Sequence, residues 1–440
     1  MNTLLIEILN AREARVARQQ ALLREYHCPV VCFTMNIAGP AKTSPLIRRA
    51  FEEGLSLLEN GLTAYSVNHQ EIIHAVTGDE AIFSVSGEAT TLKALCTTIE
   101  ENCPMGRLFD MDVLDTDGRK LERSRERCCL ICGKPGRSCA AGRLHSVQQL
   151  QDATQALITA HFDDADARRI SKAAVNALLE EVHTTPKPGL VDQRNNGSHT
   201  DMDLPLFVTS ANVLRPYFAH CCAIGQSTAA LTPAEVFPSL QNAGLAAERA
   251  MFAATHGVNT HKGAIYTLGI LCAAVARLWH TGDLSPAVQT VLSLCSQIAG
   301  AAAEAELSQS REDTAGLRLY RQLGIRGIRG EMADGLPSLS KIALPAFQQA
   351  LDHGIPRNRA GAITLLHLIA HVQDTTLYHR GGCAGASFAM DSAQKMLEQH
   401  TFPSVEQMEA LDDAFIARRL SPGGCADLLA ATYFLHGILN

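Results

Sequence analysis

TTPKPGLVDQRNNGSHTDMD, residues 184–203, lies between two apolar helical patterns and reads as neither helix nor strand. Its two prolines and two glycines mark a loop of defined shape. The same stretch carries Lys187, Asp192, Asn195, Asn196, His199, Asp201 and Asp203. It follows the apolar pattern of residues 173–182, so it can bring a cation, amides and three carboxylates to one place. A solvated loop with helix-capping Asx residues would have the same composition, and the stretch alone does not choose between the two.

Outward from this loop the chain is helical to its end. Strand signals vanish from residue 169 on, and alanine-rich helical patterns cover 211–223, 233–255, 264–280, 285–306, 338–353, 360–372, 387–398 and 422–439. Polar islands interrupt them: THKGAIYTLG (260–269), GIRGIRGEMADGLPSL (324–339), TTLYHRGGCAGA (375–386) and LSPGGCADLLAATYFLHG (420–437). The pattern predicts an all-α domain with polar groups at helix ends.

Residues 1–165 read differently, as α/β. A helix over 4–26 precedes the β-rich run VVCFTMNI at 30–37. Ser44 and Pro45 then open a helix that Gly61 is expected to close. Strand candidates at 63–68, 80–86 and 108–114, with a helix over 92–99, complete a β-α-β-β-α-β order. That order fits a ferredoxin-like split unit. The domain boundary is expected near 160–170, giving domains 1–165 and 166–440.

Two features of the first half carry chemistry. In GRLFDMDV (106–113), Asp110 and Asp112 are two residues apart on a strand and share a face. Such a pair suits Mg²⁺, which keeps its other positions for water and phosphate oxygens, and Arg107 can add a bidentate phosphate contact. A strand end running into an Asx-rich turn is the plain alternative. In CCLICGKPGRSCAAGRLH, Cys129 and Cys132 have C-x₂-C spacing, and Cys139 and His145 follow. Three thiolates and an imidazole can close a tetrahedral Zn²⁺ site. A tight basic loop of reduced cysteines would look the same.

Composition narrows the function classes. Of 440 residues, 46% are hydrophobic and 19% charged, with a net charge of −7. No basic run suits a nucleic-acid duplex, since the clusters at 119–127 and at Arg326/Arg329 match a few phosphates instead. No secretory signal or membrane-length apolar run is evident, and fourteen scattered cysteines suit a reducing cytoplasm.

The second-half islands together resemble triphosphoribosyl-dephospho-CoA synthase, the enzyme that makes the citrate lyase prosthetic-group precursor, from about residue 168 onward. MNIAGPAKTSP (35–45), GRLFDMDV and the Cys/His loop resemble the citrate lyase holo-acyl-carrier-protein synthase over most of residues 10–150. The resemblance implies two consecutive reactions. In the first, the 2′-hydroxyl of dephospho-CoA attacks C1′ of the ATP ribose and adenine leaves. In the second, phosphoribosyl-dephospho-CoA passes to a serine of the apo acyl carrier (gamma) subunit and pyrophosphate leaves.

The first reaction needs carboxylates near the ribose, a base for the hydroxyl, and cations with Mg²⁺ for the triphosphate. The islands hold these types. Asp192, Asp201, Glu331 and Asp427 are the carboxylate candidates for metal or ribose, and His199 and His379 the base candidates. Lys187, His261, Lys262, Arg326, Arg329 and Arg380 add positive charge or donors. Asn195, Asn196, Gly381, Gly382, Ser421, Gly423 and Gly424 are the remaining nucleotide-binding candidates, several where a helix opens. Malonate decarboxylase, which uses the same precursor, is the alternative destination. A hydrolase of ADP-ribose linkages is the alternative chemistry.

Overall fold

The computed structural model describes residues 3–123, 125–309 and 314–439; Ser124, inside the basic cluster at 119–127, lies outside them. The chain forms two compact units, Met1–Asp164 and Ala165–Asn440. The first contains α1 (Thr3–Tyr26), β1 (Val30–Met35), α2 (Pro45–Leu62), β2 (Ser66–Ile73), β3 (Glu80–Ser86), α3 (Ala89–Asn102), β4 (Phe109–Leu114) and α4 (Gly136–Ala141). Helix α5 (Val147–His183) follows, and the division between units falls within it.

The four strands form one sheet in the order β2-β3-β1-β4, each neighbouring pair antiparallel. Alternation along β1 assigns its two faces. Phe33 turns toward α2, stacking on Phe51 at 4.9 Å and meeting Phe109 edge-on at 5.4 Å. Gly54 of α2 makes room, since a Cβ there would stand 2.6 Å from the Phe33 ring. Val30 and Cys32 take the other face and join Leu22 and Leu23 of α1 in a small core. Cys32 pairs with Asp112 and Thr34 with Asp110, so both aspartates lie on the α1 side.

Helix α2 begins as its sequence predicts. Ser44 Oγ accepts from the Ile47 amide and Pro45 takes the first helical position. Gly61 does not close it. The helix runs on to Leu62 because Gly61 lies against Leu95, where a side chain would collide. The strand expected at 63–68 therefore starts later, at Ser66, after a turn in which the Tyr65 amide donates to Leu62 O.

The second unit is helical among its described residues. Its elements are α6 (Leu204–Val213), α7 (Arg215–Ser227), α8 (Pro233–Ala254), α9 (Lys262–His280), α10 (Val288–Gln309), α11 (Ala315–Leu323), α12 (Gly327–Ala333), α13 (Leu344–Asp352), α14 (Arg357–His371), α15 (Thr375–Gln399), α16 (Val405–Ala417) and α17 (Gly423–Leu439). The pattern at 211–223 is two helices, because Pro216 enters the first turn of α7. Helix α15 starts at Thr375, earlier than expected at 387, and Gly382 interrupts it with φ 60° and ψ −166°. One helix, α9, is long and apolar enough to cross a membrane; 78% of that window is buried, as in a core helix.

Phe33 anchors the sheet against α2, so Phe33→Ala should cost about 3–5 kcal/mol in the first unit. Denaturant unfolding followed by a probe in that unit reads this as a lowered midpoint, and an unchanged midpoint would contradict the packing described.

Candidate active sites

A cavity of about 1280 Å³ opens in the second unit. Every polar island reaches its wall: Lys187, His199 and Asp201 from the first loop, His261 and Lys262 at the start of α9, Arg326, Arg329 and Glu331 around α12, Arg380 on α15, and Ser421, Gly423, Gly424 and Asp427 at the start of α17. Residues spread over more than 240 positions of sequence thus meet in one hollow.

Its deepest charges are paired. Lys187 is 1% exposed and its Nζ donates to Glu181 Oε1 at 2.5 Å. Loss of water raises the Glu181 carboxyl and Lys187 lowers it, with burial the larger effect. Asp427 lies close by, accepting from the Ala264 amide at the N-terminus of α9. Loss of water, then the charges of Glu181 and Asp374, push its carboxyl well above the usual range. A carboxylate so placed requires a proton or a cation. Gly263 permits the approach, since a Cβ there would fall 1.9 Å from Asp427 Oδ2.

The histidines differ. His261 is 3% exposed, and its Nδ1 meets Ser210 Oγ at 2.7 Å. Its Nε2 is buried with no hydrogen-bond partner. Burial, then nearby Lys187, lower it to about 3, so the ring is neutral at pH 7. His199 Nδ1 lies 3.1 Å from Arg380 Nη2, which can only donate, so this nitrogen accepts. The proton then sits on Nε2 and points at Ser421 Oγ, 2.9 Å away. Burial, then Arg380, lower His199 to about 4. Both His199 nitrogens are engaged, whereas His261 keeps one open. His379 is exposed on α15 and is not part of the wall.

Several cations are held by carboxylates. Arg326 pairs with Asp334 at 2.6 Å and with Glu304; Arg329 pairs with Glu306 at 2.6 Å and Lys262 with Glu248 at 2.8 Å. Arg380 instead donates to Ser198 O and His199. Glu331 accepts from the Ser338 amide and hydroxyl. At the start of α17, the Gly423 amide donates to Thr376 Oγ1 and the Cys425 amide to Asp374 Oδ2. Two donors expected for a phosphate there are thus taken by the chain itself.

Other expected site residues brace the loop. Asp192 accepts from the amides of Lys187, Arg194 and Asn195. Asn195 donates to Asp412, which also takes the Gly189 amide and Arg194. Asn196 is exposed, and Asp192, Asn195, Asn196, Gly381 and Gly382 do not line the cavity. Glu181 and Asp374 do line it and carry no sequence signal of their own. Glu181 ends a helical pattern, and Asp374 is the N-cap of α15, a helix expected to begin only at 387.

In the first unit, a groove of about 810 Å³ lies on the α1 side of the sheet. Arg12, Arg15, Arg24 and Lys120 line it with Cys32, Thr34 and Asp112. Lys120 Nζ meets Asp112 Oδ2 at 2.6 Å. Asp110 stands beside it, its carboxyl raised first by loss of water and then by Asp112. Arg127 Nη1 lies 4.0 Å from Asp110 and also pairs with buried Glu100, as Arg123 does. Arg107 Nε donates to Cys128 O at 2.5 Å. Cys129, Cys132, Cys139 and His145 gather with their donor atoms within 4.8 Å of one another.

Residues 167–440 match the family model for ATP:dephospho-CoA triphosphoribosyl transferase, and residues 3–161 that for apo-citrate lyase phosphoribosyl-dephospho-CoA transferase. Protein CitXG of Haemophilus influenzae is 37% identical over 97% of this chain and 94% of its own length. The chain belongs to the CitXG family. The CitXG protein of Leuconostoc mesenteroides subsp. cremoris is 32% identical over 99% of the chain and 97% of its own length. A 2-(5″-triphosphoribosyl)-3′-dephosphocoenzyme-A synthase of Klebsiella pneumoniae is 42% identical over 61% of the chain and 90% of its own length. The CitXG family joins the two transferases in one polypeptide, and these matches favour neither the malonate decarboxylase destination nor a hydrolase.

The cavity histidines contribute stability to the second unit that acid removes. Their folded values of about 3 and about 4 lie below the usual value of about 6.5. At these two rings the unfolded chain takes up protons first, so their contribution to stability falls as pH drops below about 6.5, while the raised carboxyls of Asp427 and Glu181 act in the opposite sense. Between pH 7.5 and 5, wild type should lose more melting temperature, or gain less, than His261→Asn; equal slopes would contradict the burial of the ring.

Proposed function

We propose that the second unit, taken as domain 166–440, converts ATP and 3′-dephospho-CoA to 2′-(5″-triphosphoribosyl)-3′-dephospho-CoA and adenine. The domain over 1–165 then loads phosphoribosyl-dephospho-CoA onto a serine of the gamma subunit of apo-citrate lyase. The observation that carries the first half is the convergence of all the polar islands on one cavity of about 1280 Å³. That volume exceeds the roughly 300–1,000 Å³ of ordinary ligand pockets and suits two nucleotides at once.

In this reading the 2′-oxygen of dephospho-CoA bonds to C1′ of the ATP ribose as the C1′–N9 bond breaks. The hydroxyl proton passes to a base, and the departing adenine takes up one proton from solvent, so that the proton released is balanced by the one consumed. His261 is the base we favour over His199 and His379, because it lines the cavity, its Nε2 has no partner and the ring is neutral. Asp427 and Glu331 stabilise positive charge growing on the ribose. Arg380, Arg326, Arg329 and Lys262 hold the triphosphate, the paired ones by exchanging their carboxylates for phosphate. Glu181, Asp374 and Asp427 would repel that triphosphate without added positive charge, and Mg²⁺ supplies it.

In the first unit the carrier serine oxygen bonds to the phosphorus nearest the ribose, and the bond to pyrophosphate breaks. Asp110 and Asp112, crowded on one face, fit a cation that accompanies the phosphates, and Arg107, Arg127 and the groove arginines fit their charge. The antiparallel order β2-β3-β1-β4, with helices after β1 and β3, supports a ferredoxin-like reading of this unit. The Cys/His cluster is a Zn²⁺ ligand set in the same reading. Scattered free thiols favour a cytoplasmic setting.

Single substitutions should separate the two activities. Asp110→Asn or Asp112→Asn should lower carrier loading by at least about 10²-fold and spare adenine release, while His261→Asn and Glu331→Gln do the reverse. Adenine is followed by chromatography, and loading, from preformed 2′-(5″-triphosphoribosyl)-3′-dephospho-CoA, by intact mass of the carrier. Equal loss of both activities in any of these variants would remove that residue from the assignment.

A further inference from the structure

The Cys/His cluster has the donor chemistry of a closed zinc site. Cys129 and Cys139 Sγ lie 3.4 Å apart, and all four donor atoms fall within 4.8 Å of one another. Ligands at about 2.0–2.3 Å around a tetrahedral Zn²⁺ are separated by nearly these distances. The sulfur separation is far beyond the 2.03–2.05 Å of a disulfide bond. His145 Nε2 is buried without a hydrogen-bond partner, as an imidazole nitrogen waiting for a metal would be. The backbone is shaped to match. Gly133 turns the C-x₂-C segment with φ +69°, its amide donating to Cys129 O, while the Cys129 amide donates to Lys134 O at 2.7 Å.

Four protein donors leave no position for water or substrate, so the ion is structural. What it would hold in place follows from the contacts of the same loop. Cys128 O accepts from Arg107 Nε, and the Gly136 amide donates to Arg127 O at 2.8 Å. Arg127 in turn reaches Glu100 and stands 4.0 Å from Asp110. We infer that Zn²⁺ bound by Cys129, Cys132, Cys139 and His145 fixes this loop so that Arg107 and Arg127 flank Asp110 in the transferase site. The ion site stands on the donor geometry alone; its consequence for activity rests on the transferase reading of the first unit. The four ligands are positioning residues, remote from the reacting atoms.

Metal analysis of the purified full-length chain after dialysis into metal-free buffer should give about one zinc per chain. Cys132→Ser and His145→Ala should lose it. Carrier loading by these variants should fall at least about tenfold, with adenine release unchanged, which shows the second unit intact, and the denaturant midpoint of the first unit unchanged, which shows its sheet still folded. Arg127→Gln should keep the zinc and still lose loading, which a merely unfolded loop would not reproduce. Replacement by Co²⁺ should give the visible absorption of a tetrahedral thiolate site. A wild-type chain without zinc, or with Cys129 and Cys139 oxidised to a disulfide, would overturn the ion site. Full loading by zinc-free Cys132→Ser would overturn the positioning role. A wild-type chain that holds zinc but loads no carrier would instead overturn the transferase reading, and the positioning role with it.

Discussion

Lys187 and Glu181 meet at 2.5 Å with 1% and 5% of their surfaces exposed, at the foot of the cavity in the second unit. An ion pair taken out of water loses several kcal/mol of hydration per ion, and geometry must return it. Here the geometry is set by a loop that cannot move freely. Asp192 gathers three amides of the loop, and Asp412 of α16 gathers Gly189, Arg194 and Asn195. These braces fix Lys187, and Lys187 influences both Glu181 and His261. The reactive wall thus depends on carboxylates that never reach it.

The surplus of acid in that wall points to the ligand. Glu181, Asp374 and Asp427 crowd one region, where Lys187 pairs with Glu181. Left alone, such a cluster keeps a proton on Asp427. A metal–triphosphate would let the same carboxylates ionise, so substrate binding and proton release are linked at this point. The first unit repeats the theme on a smaller scale. Two strand aspartates share a face, the pleat turns both toward a basic groove, and burial raises the outer one.

Much of this was legible in the sequence. The polar islands stood out in the sequence, because loops between apolar helices have few reasons to concentrate Gly, Arg, His and Asp, and all of these islands reach one cavity. The shared face of Asp110 and Asp112 followed from period-two spacing. What misled was chemistry that serves two purposes. Asp192 and Asn195 have the composition of ligands and act as Asx braces, since an Asx side chain reaches its own backbone as easily as a metal. His379 and His261 are both polar-island histidines, yet one is exposed on α15 and the other lies beneath the cavity wall. Glu181 and Asp374 were hidden because one continues a helical repeat and the other caps a helix whose start at Thr375 lies inside a polar island. Only tertiary packing distinguishes these, as it does Gly61, whose place inside α2 is dictated by Leu95.

The central claim is that one cavity binds ATP and dephospho-CoA together and joins them through the ribose. It is tested most directly by incubating the purified chain with ATP and Mg²⁺, with and without dephospho-CoA, and measuring free adenine by chromatography. The account predicts adenine only when dephospho-CoA is present, matched mole for mole by a triphosphoribosylated product. Adenine released without dephospho-CoA, or none with both nucleotides and metal supplied to the folded protein, would contradict it.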